Sequence, residues 1–115
     1  MSDIDVVFTG VAVANFDDAV AWYRSLFGRS PDIVVKDDEV MWKITETAWI
    51  YVVRDEHRAG RALVALSVPD LERAMEEIAT RGLHSGPVEV VGDAGRKASF
   101  TDAEGNTVSL IEVVG

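Results

Sequence analysis

A β-branched, apolar run opens the chain, and a helical stripe follows it. Residues Ile4 to Val13 are mostly apolar and rich in valine, which predicts a strand. Asn15 is suited to the N-cap of a helix, and Gly28 is typical of a helix end. Between them, apolar residues recur at helical spacing, at Phe16, Ala19, Val20, Tyr23, Leu26 and Phe27. The pattern predicts a strand that leads into an amphipathic helix.

The same order of elements returns in the second half of the chain. Leu63 to Val68 predicts another strand, Asp70 another N-cap and Gly82 another helix end. The apolar stripe of this second helix consists of Leu71, Ala74, Met75 and Ile78. Few residues are identical between the halves, so the matching order of elements is the better sign of an internal repeat.

Three short strand-like runs follow each predicted helix. They are Asp32–Lys36, Val40–Ile44 and Ala48–Val53 in the first half, and Val88–Val91, Lys97–Thr101 and Thr107–Val113 in the second. Residues 55–61 form a polar linker between the halves. The sequence therefore predicts one α+β domain over residues 1–115, built from two tandem βαβββ modules at 1–54 and 62–115.

Three segments resemble a known superfamily. The stretch from Val11 to Tyr23, with Leu26-Phe27-Gly28 behind it, is a strand-into-helix signature, and Val68 to Ala74 repeats it. Phe100 to Val108 has the form of a hairpin before a last strand. Together they resemble the vicinal oxygen chelate superfamily, which includes glyoxalase I, extradiol dioxygenases and bleomycin-resistance proteins. The resemblance implies that the two modules form a curved, partly open cup of mixed β-sheet, the glyoxalase/bleomycin resistance fold.

The resemblance also indicates where a metal would be held. Metal-dependent members place four ligands, usually His, Gln or Glu, on the first and fourth strands of each module. In this sequence those positions fall on Phe8 and Tyr51 in the first module and on Leu63 and Ser109 in the second. Phenyl and isobutyl groups have no donor atom, and neutral hydroxyls are weak ligands for a divalent ion. We therefore expect no metal and no other cofactor.

Aromatic residues stand at the predicted concave face instead. The resemblance implies that the faces carrying Phe8 on the first strand and Tyr51 on the fourth line the concave side, and alternation puts Trp49 beside Tyr51. Trp42 is expected to join them from the third strand. The candidate ligand-binding residues are Phe8, Trp42, Trp49, Tyr51, Leu63 and Ser109. Aromatic residues on a half-buried sheet are also commonly core or dimer interface, and that alternative stays open.

Composition narrows the possible partners. The chain has 11 Lys and Arg against 20 Asp and Glu, a net charge of −9, which argues against nucleic acid and anionic membrane surfaces. It has no cysteine, which removes disulfides and thiolate chemistry. The acidic N-terminal residues do not resemble a signal peptide, and no apolar run has the length of a membrane span. These features favour a cytoplasmic protein.

The preferred hypothesis is a metal-free protein that binds a small aromatic or cationic molecule, such as an antibiotic that it sequesters. An alternative is a lyase, isomerase or dioxygenase of the same superfamily with atypical or misplaced metal ligands. A third is a regulatory or structural dimer whose cup is filled by its own side chains. Since sheet edges must be paired or covered, we expect a homodimer in each case.

Overall fold

The first module has the predicted βαβββ order. The protein is described here by a computed structural model that covers residues 3–93 and 95–113. Its first five elements are β1 (Val7–Val13), α1 (Phe16–Phe27), β2 (Ile33–Lys36), β3 (Glu39–Thr45) and β4 (Ala48–Arg54). The strands form one sheet in the order β1-β4-β3-β2, in which β1 and β4 are parallel and the other neighbours are antiparallel.

The second module repeats this arrangement. Its elements are β5 (Leu63–Ser67), α2 (Leu71–Ala79), β6 (Glu89–Val91), β7 (Gly95–Thr101) and β8 (Thr107–Val113). Its sheet has the order β5-β8-β7-β6, with β5 parallel to β8. The two four-stranded sheets remain separate and do not close into a barrel. The predicted α+β fold with two tandem βαβββ modules is confirmed.

Local sequence explains where the helices begin and end. The side-chain oxygen of Asn15 accepts a hydrogen bond from the backbone N–H of Asp18 at 3.2 Å, and Asp70 caps α2 in the same way. The second helix ends at Ala79 instead of continuing to Gly82, because Gly82 N–H donates to the carbonyl of Ala79 in a tighter turn.

Each helix covers one face of its own sheet. Beneath α1, Val11, Trp42 and Val52 have no exposed surface, and beneath α2 the same is true of Val108. Phe100, also beneath α2, is 1% exposed. The core therefore consists of two helix–sheet layers, and the opposite face of each sheet is left without a helix.

Polar contacts fix the two modules to each other. The helices touch, and the turn between β7 and β8 reaches α1, where the Glu104 carboxylate accepts from the N–H groups of Ala14 at 2.6 Å and Asn15 at 3.0 Å. Asn106 joins both modules, since its amide donates to the carbonyl of Ala12 and accepts from the N–H of Ala62, each at 2.9 Å. Among the described residues, no helix is long and apolar enough to cross a membrane.

Candidate ligand-binding face

The face of the first sheet that α1 leaves open carries three aromatic side chains. Phe8 lies opposite Trp49, and Gly10 lies opposite Tyr51, so these side chains share one face as alternation predicts. The rings of Phe8 and Trp49 stack, with centroids 6.3 Å apart and 25° between their planes. Phe8 is 54% exposed, and Trp49 and Tyr51 are half-buried. We call this surface the aromatic face.

Gly10 determines how Tyr51 lies on the aromatic face. A Cβ atom at Gly10 would be 2.5 Å from Tyr51 Cζ and 2.6 Å from its Oη, so the phenol ring lies directly over the glycine. Any side chain at this position would displace the ring. The sequence carried a signal for this contact, since a glycine within a strand often marks a close approach.

A cavity of about 410 Å³ adjoins Tyr51. The strands contribute Gly10, Ala12 and Val53 to its wall, and the linker contributes Asp55, His57, Arg58 and Arg61. The linker reaches this place because Gly60 donates a backbone hydrogen bond to Ala12 and turns with a φ of 87°. A polar linker in the sequence gave no indication that it would fold back over the sheet.

The expectation that Trp42 joins the aromatic face is wrong. Trp42 has no exposed surface, its ring centroid lies 5.3 Å from that of Phe27, and its Nε1 donates to the carbonyl of Arg29 at 3.0 Å. The cause is a bulge between Lys43 and Thr45, which shifts the β3–β4 pairing by one residue. An unbroken hairpin would put Trp42 opposite Tyr51, but the bulge puts Met41 there instead.

The two candidates of the second module lie on the other sheet. Leu63 is 86% exposed, and Ser109 is buried opposite Ala65, with its hydroxyl 2.8 Å from that of Ser99. Neither lines the cavity beside Tyr51. One chain therefore brings Phe8, Trp49 and Tyr51 together but leaves Leu63 and Ser109 on a separate surface.

The four positions that the resemblance assigns to metal ligands do not fit a divalent ion. Phe8 and Leu63 offer no donor atom, the Ser109 hydroxyl is engaged by Ser99, and Tyr51 is packed over Gly10. Within residues 3–93 and 95–113, no three His, Cys, Asp or Glu side chains come together as a metal site.

Two titratable groups with displaced pKa values have structural roles. Burial raises the pKa of Tyr23 far above its usual value, and the nearby Asp102 carboxylate, which accepts the Tyr23 hydroxyl at 3.0 Å, raises it further. The backbone N–H of Leu71 and the Arg96 guanidinium lower the pKa of Glu112, which lies at the N-terminus of α2. Both groups hold helices in place and do not reach the aromatic face.

Comparison with known proteins gives one strong relative and several with the same fold. No protein-family model matches the sequence, and no curated protein matches it significantly. A glyoxalase/bleomycin resistance protein from Catenulispora acidiphila superimposes with a TM-score of 0.88 and 33% identity, over 94% of this chain and 97% of that one. TnmS3, an antibiotic binding protein from Streptomyces sp. CB03234, is 18% identical with a TM-score of 0.76, and 98% of each chain is covered. The fosfomycin resistance protein FosX from Listeria monocytogenes is 16% identical with a TM-score of 0.70, over 97% of this chain and 93% of that one.

Proposed function

Because the chain belongs to the glyoxalase/bleomycin resistance proteins of the vicinal oxygen chelate superfamily, we propose that it is a metal-free cytoplasmic protein that binds and sequesters a small aromatic molecule, such as an antibiotic. Sequestration needs affinity and no chemical step. A binding free energy of about −8 kcal/mol is enough to give a micromolar Kd.

The aromatic face is the observation that carries this proposal. Phe8, Trp49 and Tyr51 offer ring surface to solvent on the sheet face where the resemblance places metal ligands. Flat apolar molecules stack on such rings. The antibiotic-binding neighbour TnmS3 has the same fold, which supports the choice of ligand class without fixing the ligand.

Tryptophan fluorescence tests the proposal. Of the three tryptophans, Trp42 is fully buried and Trp22 lies on α1, so only Trp49 lies on the aromatic face. Titration with polyaromatic and glycopeptide antibiotics should quench the wild type and the Trp22→Phe control, and Trp49→Phe should lose most of that change. A panel in which no compound quenches the wild type would contradict the proposal, as would full quenching in Trp49→Phe.

The proposal includes a homodimer. Phe8 is 54% and Leu63 is 86% exposed, and exposed apolar surface of this kind is typical of interfaces. A second copy can lay the free face of its second module against the aromatic face of the first. That arrangement would bring Leu63 and Ser109 of one copy to the aromatic residues of the other.

Sedimentation of matched variants tests the dimer. Leu63→Glu places a charge in the expected interface and should convert the dimer to a monomer. Val34→Glu is the control, because Val34 is 72% exposed but pairs with buried Val40 and so lies on the opposite face of the first sheet. A monomeric wild type, or equal dissociation of both variants, would contradict the arrangement.

A further inference from the structure

The cavity beside Tyr51 has a positive wall in an acidic protein. Two arginines, Arg58 and Arg61, line it against one carboxylate among the described residues, that of Asp55. The whole chain has 20 acidic and 11 basic residues, so this local excess of cations runs against the overall charge. Both arginines are exposed, so an anion can reach them directly from solvent.

The carboxylate of this cavity is already engaged. Asp55 Oδ2 accepts from Arg58 Nη1 at 2.9 Å, and its Oδ1 accepts from the backbone N–H groups of His57 at 3.1 Å and Arg58 at 3.3 Å. Its charge is thus balanced within the linker turn. The remaining N–H groups of the Arg58 guanidinium are not used by this pair.

Arg61 provides the uncommitted cation. Over residues 3–93 and 95–113, its guanidinium makes neither an ion pair nor a side-chain hydrogen bond, although Arg61 lines the cavity. A guanidinium presents a planar fork of donors that matches a carboxylate, a sulfonate or a phosphate. Donors of this kind at a cavity wall favour an oxyanion as the occupant.

The larger groove of the first module does not offer such donors. That groove, of about 920 Å³, lies at the N-terminus of α1. Its two cations are paired, Lys36 with Asp38 at 3.7 Å and Arg54 with Glu56 at 3.1 Å. The N–H groups of Ala14 and Asn15 at its wall are bound by Glu104 in the adjoining turn.

We propose that the cavity binds the anionic group of the ligand, with Arg61 as its main partner and Arg58 as the second, while the aromatic part of the ligand lies on the aromatic face. Tyr51 joins the two surfaces, since its ring lies over Gly10 and also lines the cavity. This inference rests on the proposed function and narrows it: the ligand is an aromatic acid, in contrast to the cationic molecule that the acidic composition also allowed.

Two dyes with one aromatic skeleton separate the two parts of the site. Anilinonaphthalene sulfonate carries an anionic group, and phenylnaphthylamine is the same ring system without it. Fluorescence titration of the full-length chain should show tighter binding of the sulfonate. Arg61→Gln should weaken the sulfonate about tenfold, which is typical for loss of a charge-assisted hydrogen bond, and should leave the neutral dye unchanged. Arg61→Lys should restore part of the loss.

The control variants distinguish the possible failures. Arg73→Gln removes the same charge from an exposed pair with Glu77 on α2 and should change neither dye. Trp49→Leu should weaken both dyes, because both use the aromatic face. Failure of both dyes to bind the wild type overturns the proposed function together with this inference. If both dyes bind the wild type but Arg61→Gln leaves the affinity for the sulfonate unchanged, this inference alone is overturned. The same holds if Arg73→Gln weakens the sulfonate as much as Arg61→Gln does.

Discussion

The two modules share one topology but differ on the faces that their helices leave open. Their covered faces are alike: Trp42 and Ile50 lie under α1, and Phe100 and Val108 lie under α2, all with little or no exposed surface. The open faces are not alike, because Tyr51 lies over Gly10 in the first module whereas Ser109 lies opposite Ala65 in the second. Burial beneath a helix constrains the covered faces in the same way in both modules, while the open faces have no helix against them and differ in the side chains that they present.

The largest effect on stability should come from truncating the tryptophan on the covered face of the first sheet, compared with the tryptophan on its open face. Trp42→Ala removes a fully buried ring and should lower the free energy of unfolding by about 3–5 kcal/mol. Trp49→Ala, on the aromatic face, should cost no more than about 1 kcal/mol. Urea unfolding of both variants measures the contrast, and equal losses would show that Trp49 is a core residue.

The corresponding β-hairpin turns of the two modules should also differ in stability. The Asp102 carboxylate, 6% exposed, accepts from Tyr23 and from Asn106, so Asp102→Ala leaves buried donors unpaired and should cost about 2–3 kcal/mol. Glu46, in the turn of the first module, pairs with Lys43 at the exposed surface, and Glu46→Ala should change stability by less than about 0.5 kcal/mol. Urea unfolding measures both variants, and a loss from Asp102→Ala as small as that from Glu46→Ala would mean that the second turn does not hold the modules together.

A smaller effect, on ligand binding, should follow from substituting the small residue at the corresponding strand position of each open face. Gly10→Ala pushes the Tyr51 ring off its strand, and we expect ligand or dye binding to weaken about tenfold, the scale of one lost aromatic contact. Ala65→Gly, at the corresponding place in the second module, should change binding by less than about twofold. Titration of both variants against the same compound measures this, and unchanged binding in Gly10→Ala would separate Tyr51 from the site.

Features that depend on neighbouring residues were predictable from the sequence. The caps Asn15 and Asp70 and the apolar stripes behind them act within one or two helical turns, so both helices and the two-module order follow from local pattern. That Trp49 and Tyr51 share a face also follows from alternation along β4. That Phe8 lies on the same face depends on the pairing of β1 with β4, and that expectation came from the family resemblance.

Features that depend on strand register or on contacts between distant residues could not be predicted from the sequence. The side of the sheet that Trp42 faces is set by a bulge one residue long, and the sequence of the Thr45-Glu46-Thr47 turn does not predict that bulge. Arg61 and His57 reach the cavity because Gly60 packs against Glu104, where an added Cβ would lie 2.3 Å from the Glu104 carbonyl oxygen. That contact joins residues far apart in the chain, which local patterns cannot reveal.

The smallest effect concerns pH and the helix of the second module. The N–H of Leu71 and the Arg96 guanidinium hold the pKa of Glu112 below its usual value of 4.5. As the pH falls through that value, the unfolded chain takes up the proton before the folded one does. The stability that Glu112 contributes is therefore complete above pH 4.5, declines as the pH falls towards the lowered pKa, and is absent below it.

Glu112→Gln should reveal this contribution as a difference that depends on pH. The variant keeps an acceptor for Leu71 but loses the charge, so it should be less stable than the wild type at neutral pH and should converge with it in acid. Urea midpoints of both proteins from neutral pH down to about pH 3 measure the difference. The lowered pKa of Asp32, which comes first from the backbone N–H of Lys43, affects both proteins equally and cancels. A wild-type advantage that stayed constant across this range would mean that Glu112 stabilises α2 by packing and not by its charge.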